Sequence, residues 1–244
     1  MEKRGISQEG LKLIACVTML IDHVGATLVL EYYLQIRSFE LYCIYYAMRL
    51  IGRIAFPIFC FLLVEGAHYT RNPRKYAVRL AIGALLSEIP FDIAFFGGIT
   101  MEHSSVMITL LLGFGMIQAM KKLEGFWKIA VILPFFVAAE LLGTDYGGHG
   151  IAIIALLALT RGVPYEKLLR AMGLAVLLWF GANIRLGWIT VPMEEFALLG
   201  LPLIFTYQGR KVTGSKALQW GFYLFYPVHI AVLCGIQWLI FGAA

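Results

Sequence analysis

A few polar residues set inside long apolar stretches are where this 244-residue chain could do chemistry. Asp22 and His23 are adjacent in the first stretch, Arg49 and Arg53 lie four apart in the second, and Glu88 and Asp92 four apart in the third. His229 follows Tyr226-Pro227 in the last, and Glu65 sits near the end of the second, beside Gly66. Residues four apart share a helix face. A charged side chain at mid-bilayer costs a few kcal/mol, so such residues need partners and mark function. Two chemistries use such a set. A histidine can be general base toward an acceptor hydroxyl or amine while a guanidinium holds an anionic group or a developing oxyanion. Alternatively, Asp22, His23, Glu88 and Asp92 can relay protons or cations in a small-solute transporter, although discontinuous helices in matching halves are not evident. The plainer alternative is an inter-helix staple joining Arg49/Arg53 to Glu88/Asp92, which does not require two histidines at one depth. His68, His103 and His149 fall at stretch ends and read as ordinary loop-end residues.

The elements that carry these residues follow from composition. Hydrophobic residues are 60% of the chain and charged ones 14%, with a mean hydropathy of +0.80. Soluble domains are about half apolar and a quarter charged, which excludes that class. Spans of roughly 20 apolar residues are expected near 11–35, 43–69, 76–96, 104–121, 126–143, 147–161, 165–185, 191–207 and 217–242, an all-α bundle in one domain over 1–244. Backbone groups in lipid must be satisfied internally, and segments this long and apolar are helices rather than barrel strands. Asp22-His23 interrupts the first stretch, so it reads as a retained span rather than a cleaved signal. Cys16, Cys43, Cys60 and Cys234 lack metal-ligand spacing and read as packing residues; no metal is expected.

Basic residues fix the expected orientation. Lys3, Arg4 and Lys12 precede the first span, Arg71, Arg74, Lys75 and Arg79 follow the second, and Lys121, Lys122 and Lys128 follow the fourth. Arg161, Lys167 and Arg170 follow the sixth, and Arg210, Lys211 and Lys216 the eighth, whereas the opposite loops hold Arg37 and Arg185. The positive-inside rule then predicts a cytoplasmic N-terminus, an outside C-terminus and a multi-pass protein of the cell membrane. The net charge of +5 comes without a long basic run and does not point to nucleic acid.

The segments "LKLIACVTMLIDHVG", "MRLIGRIAFPIFCFLLVEGAHYTRN", "KYAVRLAIGALLSEIPFDIAF" and "GFYLFYPVHIAVL" resemble the TraX family, whose namesake acetylates a pilin subunit. The likeness covers most of 11–96 and 217–234 and includes the polar positions named above. TraX proteins are similar in turn to the wider group of acyltransferase-3 and heparan-alpha-glucosaminide N-acetyltransferases. That group carries arginine, ten residues, then histidine on its first span; Lys12 and His23 meet the spacing here, with lysine keeping the charge but losing the planar fork.

The resemblance implies a bacterial inner-membrane acetyltransferase using acetyl-CoA as co-substrate. On that reading His23 is the base, Asp22 or another carboxylate orients it, and Arg49 and Arg53 stabilise the oxyanion. His229 is a second candidate base, and an acetyl-histidine intermediate is the mechanistic alternative. Glu65, Glu88, Asp92 and Tyr226 are expected to bind substrate, and Lys12, Arg71, Arg74, Lys75 and Arg79 the phosphates of the coenzyme. The acceptor is open among a small molecule, sugar, lipid or protein amine, a homodimer is allowed, and a non-enzymatic factor that binds a partner such as a pilin is a third reading.

Overall fold

The computed structural model describes residues 5–100, 102–179, 183–186, 189–209 and 215–242. Its helices begin where short polar side chains can cap them. Ser7 accepts from the Gly10 N–H at 3.1 Å and starts α1 (Gln8–Ile36), in which one π-helical turn, Gly25–Val29, directly follows Val24. Such turns mark functional sites more often than chance. Arg37, left-handed at φ 59°, ends α1, and Ser38 caps α2 (Phe39–Gly52). With α3 (Ala55–Tyr69), α2 makes one rod, Phe39–Tyr69. The halves part at Arg53-Ile54 because Pro57 has no N–H to offer the Arg53 carbonyl.

Asn72 and Pro73 start α4 (Pro73–Phe96), and Gly97 at φ 71° ends it. Then come α5 (Val106–Met120), α6 (Gly125–Ala130), α7 (Ile132–Leu141), α8 (Gly147–Leu159) and α9 (Glu166–Trp179). Pro134 causes the hitch between α6 and α7, again by withholding a donor, here from the Ala130 carbonyl. Strands β1 (Asn183–Leu186) and β2 (Ile189–Pro192) form an antiparallel hairpin with Leu186 opposite Ile189. A 3-10 turn (Glu194–Leu199), α10 (Gly200–Phe205) and α11 (Lys216–Phe241) complete the chain.

Helix therefore occurs, among the described residues, in all nine expected regions, with one correction. The seventh helix is described to Trp179 while 183–185, expected to belong to it, is strand, and the eighth, expected over 191–207, opens as strand and becomes α-helical only at Gly200. The β-branched Ile189, Thr190 and Val191 favour strand, and Pro192 closes it. Three rods, Gln8–Ile36, Phe39–Tyr69 and Trp220–Phe241, are long and apolar enough to cross a bilayer; Val106–Met120 and Gly147–Leu159 are apolar but shorter.

Leu11, Ile58, Met116, Ile154 and Ile230 are fully enclosed, while Leu85, Ile89, Val228, Val232 and Leu239 face outward. Apolar residues on both inside and outside are what a membrane protein shows, because lipid replaces water at its surface. α1 packs on α2, α3 and α11, α11 runs along α4, and α5 lies between α4 and α8. Together α1 to α5, α11 and the turn at 145–146 line a cavity of about 810 Å³.

Candidate functional site

α1 meets α2 at two glycines. A Cβ on Gly25 would come within 2.9 Å of Met48, and one on Gly52 would run into the Asp22 side chain. Small residues let two backbones approach closely, and here that approach brings Asp22 Oδ2 to 2.6 Å from Arg49 Nη1. Asp22 Oδ1 lies 3.6 Å from Arg53 Nη2. Arg53 Nη1 also donates to Glu194 at 3.1 Å and to the Tyr146 hydroxyl at 3.3 Å. Gly52→Ala should push Asp22 off the guanidiniums and cost about 1–3 kcal/mol. Thermal unfolding in detergent checks this, with Gly98→Ala, whose Cβ meets nothing within 4 Å, as the control expected to behave as wild type.

The carboxylates that neutralise the arginines are thus Asp22 and Glu194, and the plainer alternative of a staple to Glu88 and Asp92 is not what forms. Glu88 accepts from the Ser105 N–H at 3.1 Å and from its hydroxyl, and Asp92 accepts from the Thr100 N–H at 3.0 Å. Their shared face turns to the loop that follows their own helix, and neither lines the cavity. Glu65 does line it and is paired with Arg161 at 2.7 Å.

His23 does not meet Asp22, since consecutive helix residues diverge by about 100°. Its Nδ1 lies 2.7 Å from His229 Nε2, with the two ring planes 6° from parallel and their centroids 4.9 Å apart. His229 Nδ1 lies 2.7 Å from the Phe225 carbonyl oxygen. His23 lines the cavity and His229 stands behind it. The side-chain hydrogen-bond partner of His23 is thus His229, whereas Asp22, expected with another carboxylate as the alternative to orient it, meets Arg49 and Arg53. Tyr226 sets its ring edge-on to His23 at 5.9 Å. Its hydroxyl proton, like the Nε protons of Arg49 and Arg53, finds no acceptor among the described residues.

One end of the cavity carries Gln8, Lys12, Tyr69, Thr70 and Arg79. The Lys12 ammonium stands over the Phe222 ring at 5.1 Å, and the Arg79 guanidinium lies 5.5 Å from both Tyr76 and Tyr223. Arg71, Arg74 and Lys75, expected with them, are exposed and off the cavity, Arg71 in the bend before α4 and the other two on its first turn. A neighbouring cavity of about 680 Å³ shares Glu65, Tyr69, Tyr207 and Gly209 and adds Arg161, Lys167 and Arg170. Lys3, Arg4, Trp188, Arg210 and Lys211 lie outside the described residues, as do the side chains of Arg185 and Lys216.

Sequence reasoning missed the turn between α7 and α8. Tyr146 is left-handed there at φ 67°, a conformation that costs on the order of 1–3 kcal/mol and collects at functional sites. It stacks flat on Phe56 at 3.7 Å. The Asp145 N–H donates to the Ser104 carbonyl at 2.8 Å, and the Asp145 carbonyl accepts from the Thr109 hydroxyl. Burial raises the Asp145 carboxyl to about 6, against the opposing pull of Arg53 and Arg49. An acid beside Tyr146-Gly147-Gly148 in a loop was the available signal, since the glycines announce a tight turn.

A profile of the family described as TraX protein matches residues 7–237. A probable fimbrial assembly protein, FimC of serogroup H1, from Dichelobacter nodosus is 30% identical over 248 residues, covering 93% of this chain and 94% of that protein. An uncharacterized protein of Rickettsia prowazekii (strain Madrid E) is 30% identical over 156 residues, covering 61% of this chain and 54% of that one. No solved structure matches the chain. These similarities carry the TraX resemblance, while the wider acyltransferase likeness rests on the sequence motifs alone.

Proposed function

We propose, from the premise that the chain belongs to the TraX family, that it is a membrane-embedded acetyltransferase moving acetyl groups from acetyl-CoA to a hydroxyl or amine. The observation that carries this is one cavity with a histidine and two guanidiniums deep inside and Lys12 and Arg79 at its end. On the reading of nine crossings with a cytoplasmic N-terminus, that end opens to the cytosol, where the coenzyme is. Lys12 and Arg79, with Arg161 and Lys167 in the adjoining cavity, lie within the region its phosphates would occupy. The rise from Lys12 to His23 is about 16 Å at 1.5 Å per residue, a stretch for the pantetheine arm to run along.

The acceptor oxygen or nitrogen attacks the thioester carbonyl while His23 takes its proton. The oxyanion so formed faces the Arg49 and Arg53 guanidiniums and the Tyr226 hydroxyl. The C–S bond then breaks and the proton passes from His23 to the leaving thiolate, giving the acetylated acceptor and CoA. Purified protein with labelled acetyl-CoA and a panel of small alcohols, sugars and amines tests the class. CoA release with at least one of them is expected; no release with any, together with no CoA binding, sinks it.

The similarity to a probable fimbrial assembly protein of Dichelobacter nodosus favours a second reading, a non-enzymatic assembly factor for a surface fibre. That reading expects stable co-purification with a fibre subunit and no dependence on His23.

A further inference from the structure

We infer that His229 is a positioning residue: its Nε2 accepts the Nδ1–H of His23 and so holds His23 in the tautomer whose bare Nε2 serves as the base. The catalytic role rests on the acetyltransferase reading, whereas the hydrogen-bond order does not.

The order of protons follows from one group that can only accept. The Phe225 carbonyl has no proton, so the 2.7 Å contact to His229 Nδ1 places a proton on that nitrogen. A neutral imidazole has only one N–H, so His229 Nε2 is bare and must accept from the nitrogen 2.7 Å away, His23 Nδ1. His23, with its single proton on Nδ1, then has a bare Nε2, which makes no hydrogen bond among the described residues. The reverse order would need an imidazolium at His229. That ring is 7% exposed, stacks on Phe225 at 4.7 Å, and has no carboxylate partner among the described ion pairs, because Asp22 is held by the guanidiniums. An unpaired buried charge is the costlier arrangement.

The surroundings fix the ring as well as the proton. Phe95 and Tyr226 meet His23 edge-on at 5.4 and 5.9 Å, and the Thr27 hydroxyl donates to the His23 carbonyl at 2.7 Å. When His23 takes the acceptor proton on Nε2, its Nδ1–H bond to His229 becomes charge-assisted and stronger. This histidine does for His23 what a carboxylate does in a serine-hydrolase triad, without placing a second anion in the membrane.

The test compares His229→Gln with His229→Leu, using hydroxylamine as probe acceptor and acetyl-CoA as donor. The glutamine oxygen can accept from Nδ1–H but cannot act as a base. His229→Gln should stay within about tenfold of wild type, while His229→Leu, free to take the wrong tautomer, should lose about 10²–10⁴-fold in kcat with the KM for acetyl-CoA unchanged. A glutamine variant as inactive as the leucine variant overturns the assignment and makes His229 a base. Independently, nitrogen-15 NMR of histidine-labelled protein should show both rings protonated at Nδ1 and bare at Nε2; a proton on His23 Nε2 in the resting protein overturns the proposal. If NMR shows this order but wild type releases no CoA and binds none, the pairing stands and the acetyltransferase reading falls.

Discussion

On the acetyltransferase reading, His23→Ala is expected to abolish acetyl transfer, with a loss of about 10²–10⁴-fold or more, while acetyl-CoA still binds. The loss follows from position. His23 is the histidine that lines the cavity, and its neighbour cannot replace it, because His229 stands behind the cavity wall with its Nδ1 tied to the Phe225 carbonyl. Removing the imidazole leaves the basic end with Lys12 and Arg79 untouched. Coenzyme affinity measured by calorimetry should therefore be within about twofold of wild type, while stopped-flow detection of released thiol reads the missing chemistry. A variant that turns over at the wild-type rate removes His23 from the mechanism and strengthens the assembly-factor reading. His23→Gln separates shape from basicity: it fills the site and should be as inactive as alanine.

The largest effect on stability is expected at Asp22. Its carboxylate pairs with Arg49 at 2.6 Å and with Arg53 at 3.6 Å, and its side chain is only 11% exposed. Among the described residues, Asp22→Ala leaves Arg53 with Glu194 and Tyr146 and Arg49 without its ion-pair partner. Breaking a buried pair by removing one side costs about 3–5 kcal/mol, because the other charge stays behind unpaired. A matching drop in unfolding free energy in detergent is the expected result. Adding Arg49→Met in the same chain should recover much of it by removing the orphaned charge, a coupling that a double-mutant cycle measures directly. An Asp22→Ala protein as stable as wild type shows that the pair is not a structural tie.

How much of this could be read in advance depended on the kind of signal. Helix placement was legible from apolar length, while the caps at Ser7, Ser38 and Asn72 came to light only in the structure. The exception, the hairpin at 183–192, arose where β-branched residues sit inside an otherwise apolar run. The deep site was half legible. Periodicity put Arg49 and Arg53 on one face, and Glu88 and Asp92 on another, but a shared face does not say which neighbour it meets. Glu88 spends its acceptors on Ser105, and Asp92 on Thr100, so both serve the following loop. The acid that does reach Arg53 is Glu194, 141 residues away, in a 3-10 turn that no helical period marks. Asp145 and Tyr146 were hidden for the same reason. In the basic loop after α3 charge alone marks a membrane side and does not say which side chains reach a cavity: Arg79 does, and Arg71, Arg74 and Lys75 do not.

The two pairs at the heart of the site also differ in when they can form. Asp22 and Arg49 are 27 residues apart, on helices that leave the ribosome one after the other. The costly charges can therefore neutralise each other early in biogenesis, as soon as the second helix is beside the first. His23 and His229 are 206 residues apart, and their contact waits until α11 docks. A nascent chain can thus carry its ion pair through insertion before the histidine pair exists, and on the acetyltransferase reading any truncated or stalled product ending before α11 should accumulate in the membrane as inert protein.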